Sequence, residues 1–302
     1  MTTTRVRSGF SARQLADALG PLSVLSGKWV GRGFNLISLP AFDKSPPSDG
    51  PRPFRVLLSA TQETLEFTPG IEAPDRGAEI PNTNPPQGQN DIDLVGLRYL
   101  QTISDANSGD PLHVEPGFWL NVPGSTIPNV GPSIVRQGSI PHGACILAIG
   151  EGSMSATGKP DFVTGAPKSL PTPVPGAPPL GFGYVDPFAV APLPPQFTNK
   201  LIIDSPNLVL EQDFAGYGVG VHETTVLSVS TAAGGGVLNI PFLQNAVNNN
   251  AAATSVTATF WVESGISPLR KPFWVLQYSQ CVVLTFQNIN WPHITVATLH
   301  KQ

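Results

Sequence analysis

Short segments in which apolar and polar residues alternate recur along the whole of this chain, and turn-forming Gly, Pro, Asn or Asp residues separate them. Alternation with a period of two places successive side chains on opposite faces of a β-strand, and these segments are rich in the β-branched and aromatic residues that strands favour. The predicted strands are residues 28–39, 54–67, 95–104, 112–122, 134–140, 144–150, 200–214, 223–230, 255–263, 273–287 and 293–299. Since no regular helical pattern separates them, we expect an antiparallel meander.

The number and spacing of these strands favour a closed barrel. Closure pairs the first strand with the last and removes the exposed edges of the sheet. We therefore predict an all-β fold, an antiparallel up-and-down β-barrel of about ten strands. The barrel is expected to be a single domain spanning residues 1–302, wide enough to enclose a ligand.

Two regions outside the strand pattern have predicted structural roles. Residues 1–26 are expected to form a helical plug for the barrel, because Ser11 can cap a short helix and Gln14 follows three residues later, as in a capping box. Residues 153–199 are the longest of three Pro-rich loop segments, the others being residues 40–53 and 69–93. Because proline removes backbone donors, we expect residues 153–199 to wrap around the barrel as an ordered insertion.

Composition excludes several classes of function. Only 13% of the residues are charged and the net charge is −4, without a recurring basic run, so nucleic acid is not an expected partner. No apolar run approaches the ~18 residues of a membrane span, and the first 25 residues lack the continuous apolar core of a secretion signal. A cytoplasmic protein is therefore expected. The two cysteines lack the spacing of a zinc or iron–sulfur site.

The last predicted strand carries the clearest candidate for a binding residue. Alternation places His293, Thr295, Ala297 and Leu299 on one face and the intervening residues on the other. An imidazole beside small side chains suits a flat, metal-bearing ligand such as haem, which needs one axial nitrogen and little bulk below it. His293 is therefore predicted as an axial ligand of haem iron.

Two further motifs contribute to the interpretation. The run Gly27-Lys28-Trp29-Val30-Gly31-Arg32-Gly33 predicts a glycine-bent barrel strand that lets the plug approach closely, with Trp29 closing the barrel floor. A phosphate-binding loop is not expected there, because strand rather than helix follows. His113 and Glu115 lie two residues apart, so they share a strand face and the carboxylate can orient the imidazole.

These motifs together resemble the nitrobindin family, on the Gly27 to Gly33 run, on His113-x-Glu115-x-Gly117-Phe118, and on His293-x-x-x-Ala297-x-Leu299 after Leu276-Gln277-Tyr278. The Pro141-His142-Gly143 turn is similar to another of that family's turns. The resemblance implies a calycin-like barrel that binds haem b, and it transfers the role of proximal ligand to His293 alone. Thr295, Ala297, Trp29 and His113 are our further predicted cofactor-binding residues. It also implies binding or isomerisation of small oxidants and gases such as peroxynitrite and nitric oxide. The Pro-rich insertions lie outside the resemblance.

Two other functions remain open on the sequence. A non-enzymatic carrier could hold a hydrophobic small molecule in the same apolar lumen, with His293 only hydrogen-bonded. A haem enzyme of the peroxidase or peroxygenase kind could act on an organic substrate, with His113, His142, His222 or Arg136 on the far side of the haem. Hydrolase motifs are absent from the sequence, and a homodimer is left open.

Overall fold

The computed structural model describes residues 11–41, 54–75, 79–80, 87–155, 159–244 and 250–302. A closed, ten-stranded antiparallel barrel dominates it, which confirms the predicted all-β fold. The strands are β1 (Gly27–Pro40), β2 (Phe54–Asp75), β3 (Ile92–Asp105), β4 (Pro111–Val122), β5 (Ser133–Ile140), β6 (Ala144–Ser155), β7 (Val221–Ser230), β8 (Ala252–Ile266), β9 (Pro272–Phe286) and β10 (Ile289–Lys301). Closure comes from β1 and β10, which pair from Trp29 opposite Lys301 to Leu36 opposite Ile294.

Short strands complete the sheet and its turns. The chain leaves the barrel after β7 and returns beside β6 as Gly236–Asn239. Thr172–Pro173 adds two residues alongside the start of β10. Two small hairpins pair Glu79–Ile80 with Gln87–Gly88 and Ser125–Thr126 with Asn129–Val130. The predicted loop over residues 69–93 was therefore too long, because β2 continues to Asp75 and β3 begins at Ile92.

An amino-terminal plug closes one end of the lumen, and it contains the predicted short helix; residues 1–10 of the predicted plug lie outside the described residues. It consists of α1 (Ala12–Leu19) and a 3₁₀ helix (Gly20–Leu25), and α1 begins with the expected capping box between Ser11 and Gln14. Leu19, Leu22 and Leu25 are buried in the lumen, where the indole nitrogen of Trp29 donates to the carbonyl of Leu25 over 2.7 Å. We call this the plug end of the barrel.

Two glycines of β1 are required by close backbone approach. A Cβ at Gly31 would lie 2.0 Å from the carbonyl oxygen of Thr298, and one at Gly33 would lie 2.2 Å from that of Val296. Neither backbone atom can move aside without breaking the pairing of β1 with β10. The absence of a side chain at these two glycines therefore lets the backbone of β10 lie close to β1. The sequence pattern predicted instead that the glycines let the plug approach closely.

The segment between β6 and β7, which begins with the predicted Pro-rich residues 153–199, carries the remaining helices, and we call this whole segment the insertion. These are a 3₁₀ turn at Phe182–Tyr184, α2 (Asp186–Val190), α3 (Leu201–Asp204), α4 (Leu208–Ala215) and a 3₁₀ turn at Gly218–Gly220. The predicted strand over residues 200–214 was wrong, because Pro206 interrupts it and the buried apolar residues come in adjacent pairs, Ile202 with Ile203 and Val209 with Leu210. Among the described residues, no helix is long and apolar enough to cross a membrane.

The barrel wall separates two apolar cores. The inner core fills the lumen towards the plug end and includes Trp119, Phe260, Tyr278, Ala297 and Leu299. The outer core lies mainly between the insertion and the outer face of the wall, and it includes Phe162, Phe188, Ile202, Leu210, Trp261, Ile294 and Val296. The same cluster extends to Ile146, Val256 and Val282, which face the lumen and are buried, and Val282 lies opposite His293. The insertion thus packs on the barrel as an ordered cover, as predicted.

Candidate functional site

His293 lies on the inner face of β10, near the end of the barrel opposite the plug. The predicted alternation is borne out by the cores, because Ala297 and Leu299 belong to the inner core and Ile294 and Val296 to the outer core. Nε2 of His293 lies 2.8 Å from Oδ1 of Asn35, which also accepts a hydrogen bond of 2.9 Å from the hydroxyl of Thr295. An amide oxygen only accepts, so Nε2 carries the proton in this arrangement.

The imidazole of His293 is neutral at physiological pH. Burial is the main cause and lowers its pKa to about 3, and the electrostatic effects of His113 and His142 act in the same direction. A neutral imidazole retains one unprotonated nitrogen, as an iron ligand must. His293 therefore has the neutral charge required for the predicted role, with its free nitrogen at Nδ1 while Nε2 donates to Asn35.

Three histidines gather at this end of the barrel. His113 lies near the start of β4, and His142 lies in the turn between β5 and β6. Their rings are 5.9 Å apart with an interplanar angle of 33°, and both influence the pKa of His293. We call this region, defined by His113, His142 and His293, the histidine end.

His113 is held by a buried ion pair below it. Its Nε2 lies 3.2 Å from Oε2 of Glu115, while Oε1 of Glu115 accepts a 2.7 Å hydrogen bond from Nη2 of Arg136. Burial alone would raise the pKa of Glu115, but Arg136 and the hydrogen bonds from His113 and Tyr99 lower it to about 2. Glu115 is therefore an ionised acceptor that fixes the orientation of His113, as the sequence predicted.

The ion pair belongs to a larger inner polar network, which separates the histidine end from the inner apolar core. Its members are Glu63, Tyr99, Gln101, Glu115, Arg136, Tyr278 and Gln280. Arg136 is fully committed within it, since Nη1 donates to Gln280 over 2.5 Å and Nε donates to Tyr99 over 3.2 Å. It is not free to reach a ligand, in contrast to one of the sequence-based alternatives.

Glu63 occupies the network without a cation in direct contact. The hydroxyl of Tyr278 and Nε2 of Gln101 each donate to one of its carboxyl oxygens over 2.7 Å. Burial raises the pKa of Glu63 to about 7, and these two hydrogen bonds only partly offset that effect. The two lumen carboxyls therefore differ in state, with Glu115 ionised and Glu63 titrating near neutrality.

Tyr278 also covers the small residues on the inner face of the wall. Tyr278, Ala297, Gly33 and Thr61 face one another across β9, β10, β1 and β2 in one row of the sheet. The Tyr278 hydroxyl reaches Glu63 on β2, so its side chain spans β10 and β1. Thr295, rather than Ala297, is therefore the small residue of β10 that lies on the histidine-end side of this row.

The structure brings together only some of the predicted site residues. His293, Thr295 and His113 share the histidine end, whereas Ala297 lies deeper beside Tyr278 and Trp29 lies at the plug end. His222, at the start of β7, is exposed and borders a surface depression with Pro272 and Trp274, away from the histidine end. In the described part of the chain, no three His, Cys, Asp or Glu side chains are grouped to hold a metal ion by themselves. A haem needs only one such ligand from the wall.

Sequence reasoning missed Asn35, Glu63, Gln101 and Tyr278. A signal was present, because each is a polar residue at an inward position of a predicted strand that also carries apolar inward residues, such as Leu65 and Leu97. The alternation shows which residues share a face, but the polar members could be recognised as buried only after the register of neighbouring strands was known.

Comparisons with known proteins do not assign a family. No protein-family model matches the chain, and no curated protein matches it. Among solved structures, the chain is similar to that titled "Crystal Structure of Rv2717c from M. tuberculosis", with 16% identity and a TM-score of 0.42 over 95% of this chain and 97% of that chain. At this identity and TM-score, the likeness supports no inference about the ligand or the activity of this chain.

Proposed function

We propose that the histidine end binds haem b, with the imidazole of His293 as the axial ligand of the iron. The observation that carries this proposal is an inward-facing imidazole, kept neutral by burial, on the wall of a closed barrel at the end opposite the plug. The resemblance of the terminal strand to the nitrobindins supports the same role for His293. When bound, haem would supply an iron centre for small gases and oxidants such as nitric oxide and peroxynitrite.

The residues around His293 fit this cofactor after a local rearrangement. Ligation through Nε2 requires His293 to give up its hydrogen bond to Asn35 and to carry its proton on Nδ1 instead of Nε2. Oδ1 of Asn35 keeps the hydrogen bond from Thr295, so the rearrangement does not leave a buried acceptor without a partner. Because Tyr278 covers Ala297 and Gly33, the cofactor would contact Thr295 rather than Ala297.

Haemin titration of the purified protein tests the proposal. We expect a Soret band that saturates at one haem per chain, and His293→Ala is expected to weaken haemin binding at least tenfold, about 1.4 kcal/mol. His300→Ala is the matched control, because His300 lies on the same strand but is exposed at the plug end. Equal haemin affinity in the wild type and His293→Ala would exclude His293 as the ligand.

A second candidate function is a non-enzymatic carrier of a hydrophobic small molecule. It is favoured by the hydrogen bond between His293 and Asn35, which already gives the imidazole a partner without any metal. Solvent extraction of purified protein followed by mass spectrometry tests it. An organic molecule in stoichiometric amount, in protein that contains no iron and does not take up haemin, would establish the carrier.

The cytoplasmic location of the protein and its assembly into a homodimer remain predictions from the sequence.

A further inference from the structure

We infer that His113 is the proton-accepting group of the histidine end, on the side of a bound ligand opposite His293, through its Nδ1 atom. The inference rests on the proposed function and extends it. The strand order explains why the two residues face each other, because β4 follows β10 through β1, β2 and β3 around a ten-stranded closed barrel. The side chains of His113 and His293 therefore extend from walls on different sides of one lumen.

Glu115 determines which nitrogen of His113 is available. An ionised carboxylate can only accept, so the 3.2 Å contact requires Nε2 of His113 to carry a proton and donate it to Oε2 of Glu115. In the neutral ring, Nδ1 is then left with its lone pair. Glu115 is itself fixed by Arg136 and Tyr99, which both donate to Oε1, so the orientation is set by buried groups rather than by solvent.

Other polar groups near the histidine end are less suited to this role. Arg136 donates to three partners and Glu63 is enclosed by Tyr278 and Gln101. His142 packs beside His113 but is exposed, without a fixed partner of the kind that Glu115 provides for His113. Glu115 orients the side chain of His113, which is 16% exposed and therefore still partly accessible to solvent.

This arrangement selects a class of ligand. An unprotonated Nδ1 accepts a proton from a small molecule with an ionisable hydrogen, such as a hydroperoxide or hydrogen cyanide. The bond to that hydrogen breaks, its electron pair stays on the ligand as the anion, and the proton passes to Nδ1 of His113. No oxidant or reductant is consumed. Glu115 then faces the imidazolium and stabilises its charge, which makes Glu115 a positioning residue.

Two measurements test this assignment. In the haem-free protein, nitrogen NMR of the imidazoles is expected to show His113 protonated at Nε2 and unprotonated at Nδ1 when the ring is neutral, with the preference reduced in Glu115→Gln. In haemin-loaded protein, cyanide association is expected to slow at least about tenfold in His113→Ala and His113→Gln, because a positioned acid or base typically contributes about 10²–10⁴-fold. His222→Ala, exposed and away from the histidine end, is expected to match the wild type.

The outcomes distinguish the two proposals. Unchanged cyanide association in folded, haemin-loaded His113 variants would overturn the role of His113 and leave haem binding by His293 intact. A proton on Nδ1 rather than Nε2 in the neutral ring would overturn it without any variant. Failure of the wild type to take up haemin would overturn the proposed function and this inference together.

Discussion

Glu63 and Glu115 lie in the same lumen but hold their protons with very different strength. Glu115 contacts Arg136 directly, whereas Glu63 has only the neutral donors Tyr278 and Gln101. Burial favours the neutral form of a carboxyl group, and only a close cation or several strong donors reverse that preference. The contrast arises from contacts between distant strands, so the sequence around either residue could not reveal it.

Replacement of Glu63 by Gln is expected to flatten the pH dependence of stability between pH 4.5 and 7. The folded-state pKa of Glu63 is raised from 4.5 to about 7, so the stability it contributes is fully present below the unfolded pKa and is lost as pH rises through the folded pKa. A shift of this size corresponds to about 3 kcal/mol. Urea denaturation at a series of pH values measures the effect.

The control for this prediction is Glu66→Gln, an exposed carboxyl on the outer face of the same strand, which should keep the wild-type profile. Parallel stability profiles for the wild type and Glu63→Gln would show that Glu63 does not titrate in this range.

The placement of single residues on strand faces could be predicted, and their partners could not. Alternation along β10 correctly placed His293 and Thr295 inwards and Ile294 outwards. Asn35 is far from both in sequence and reaches them only because β1 closes the barrel against β10. A hydrogen bond of this kind depends on register, which a single sequence does not specify residue by residue.

The insertion is fastened to the outer wall of the barrel by buried hydrogen bonds as well as by apolar packing. Oδ1 of Asn207 accepts from the hydroxyl of Ser279 on β9 over 2.7 Å, and its Nδ2 donates to the carbonyl of Phe162 over 2.8 Å. Asn207 is 4% exposed. One side chain thus links β9, α4 and the beginning of the insertion.

We expect Asn207→Ala to lower the free energy of unfolding by about 1–3 kcal/mol, because it leaves two buried polar groups without their partner. Gln212→Ala is the matched control, since Gln212 is exposed on α4, and it should change stability by no more than about 0.5 kcal/mol. Chemical denaturation measures both variants. Equal stability of the two would show that the insertion does not depend on Asn207.

Elements with strong local signals were predicted well, and those that depend on tertiary packing were not. The capping box at Ser11 and the alternation of β4 and β10 are local, and these elements occur where expected. Residues 200–214 contain enough apolar side chains to suggest a strand, but they form α3 and α4 because they pack on the outer core. Their hydrophobicity indicated burial correctly and left the type of element ambiguous.

The whole molecule is a closed barrel with chemically different ends. The plug and Trp29 fill one end with apolar side chains, and the inner polar network separates that core from the three histidines at the other. Closure could be predicted because unpaired first and last strands would have left two exposed edges. The asymmetry between the ends could be predicted only in part, from the plug at the amino terminus and His293 near the carboxyl terminus.

This asymmetry locates the proposed function. In the proposed function, a ligand at the histidine end would contact His293 on one wall and His113 on another, above the inner polar network. Such a network rigidifies a site because each member is held by several partners. The depth of the lumen that a ligand can use is therefore limited by Tyr278 and Glu63.

The absorption spectrum of freshly purified protein, produced in cells supplied with a haem precursor and combined with an iron determination, tests haem binding most directly. We predict a Soret band and one iron atom per chain, both strongly reduced in His293→Ala. Folded wild-type protein without visible absorption or iron would contradict the assignment of haem to the histidine end.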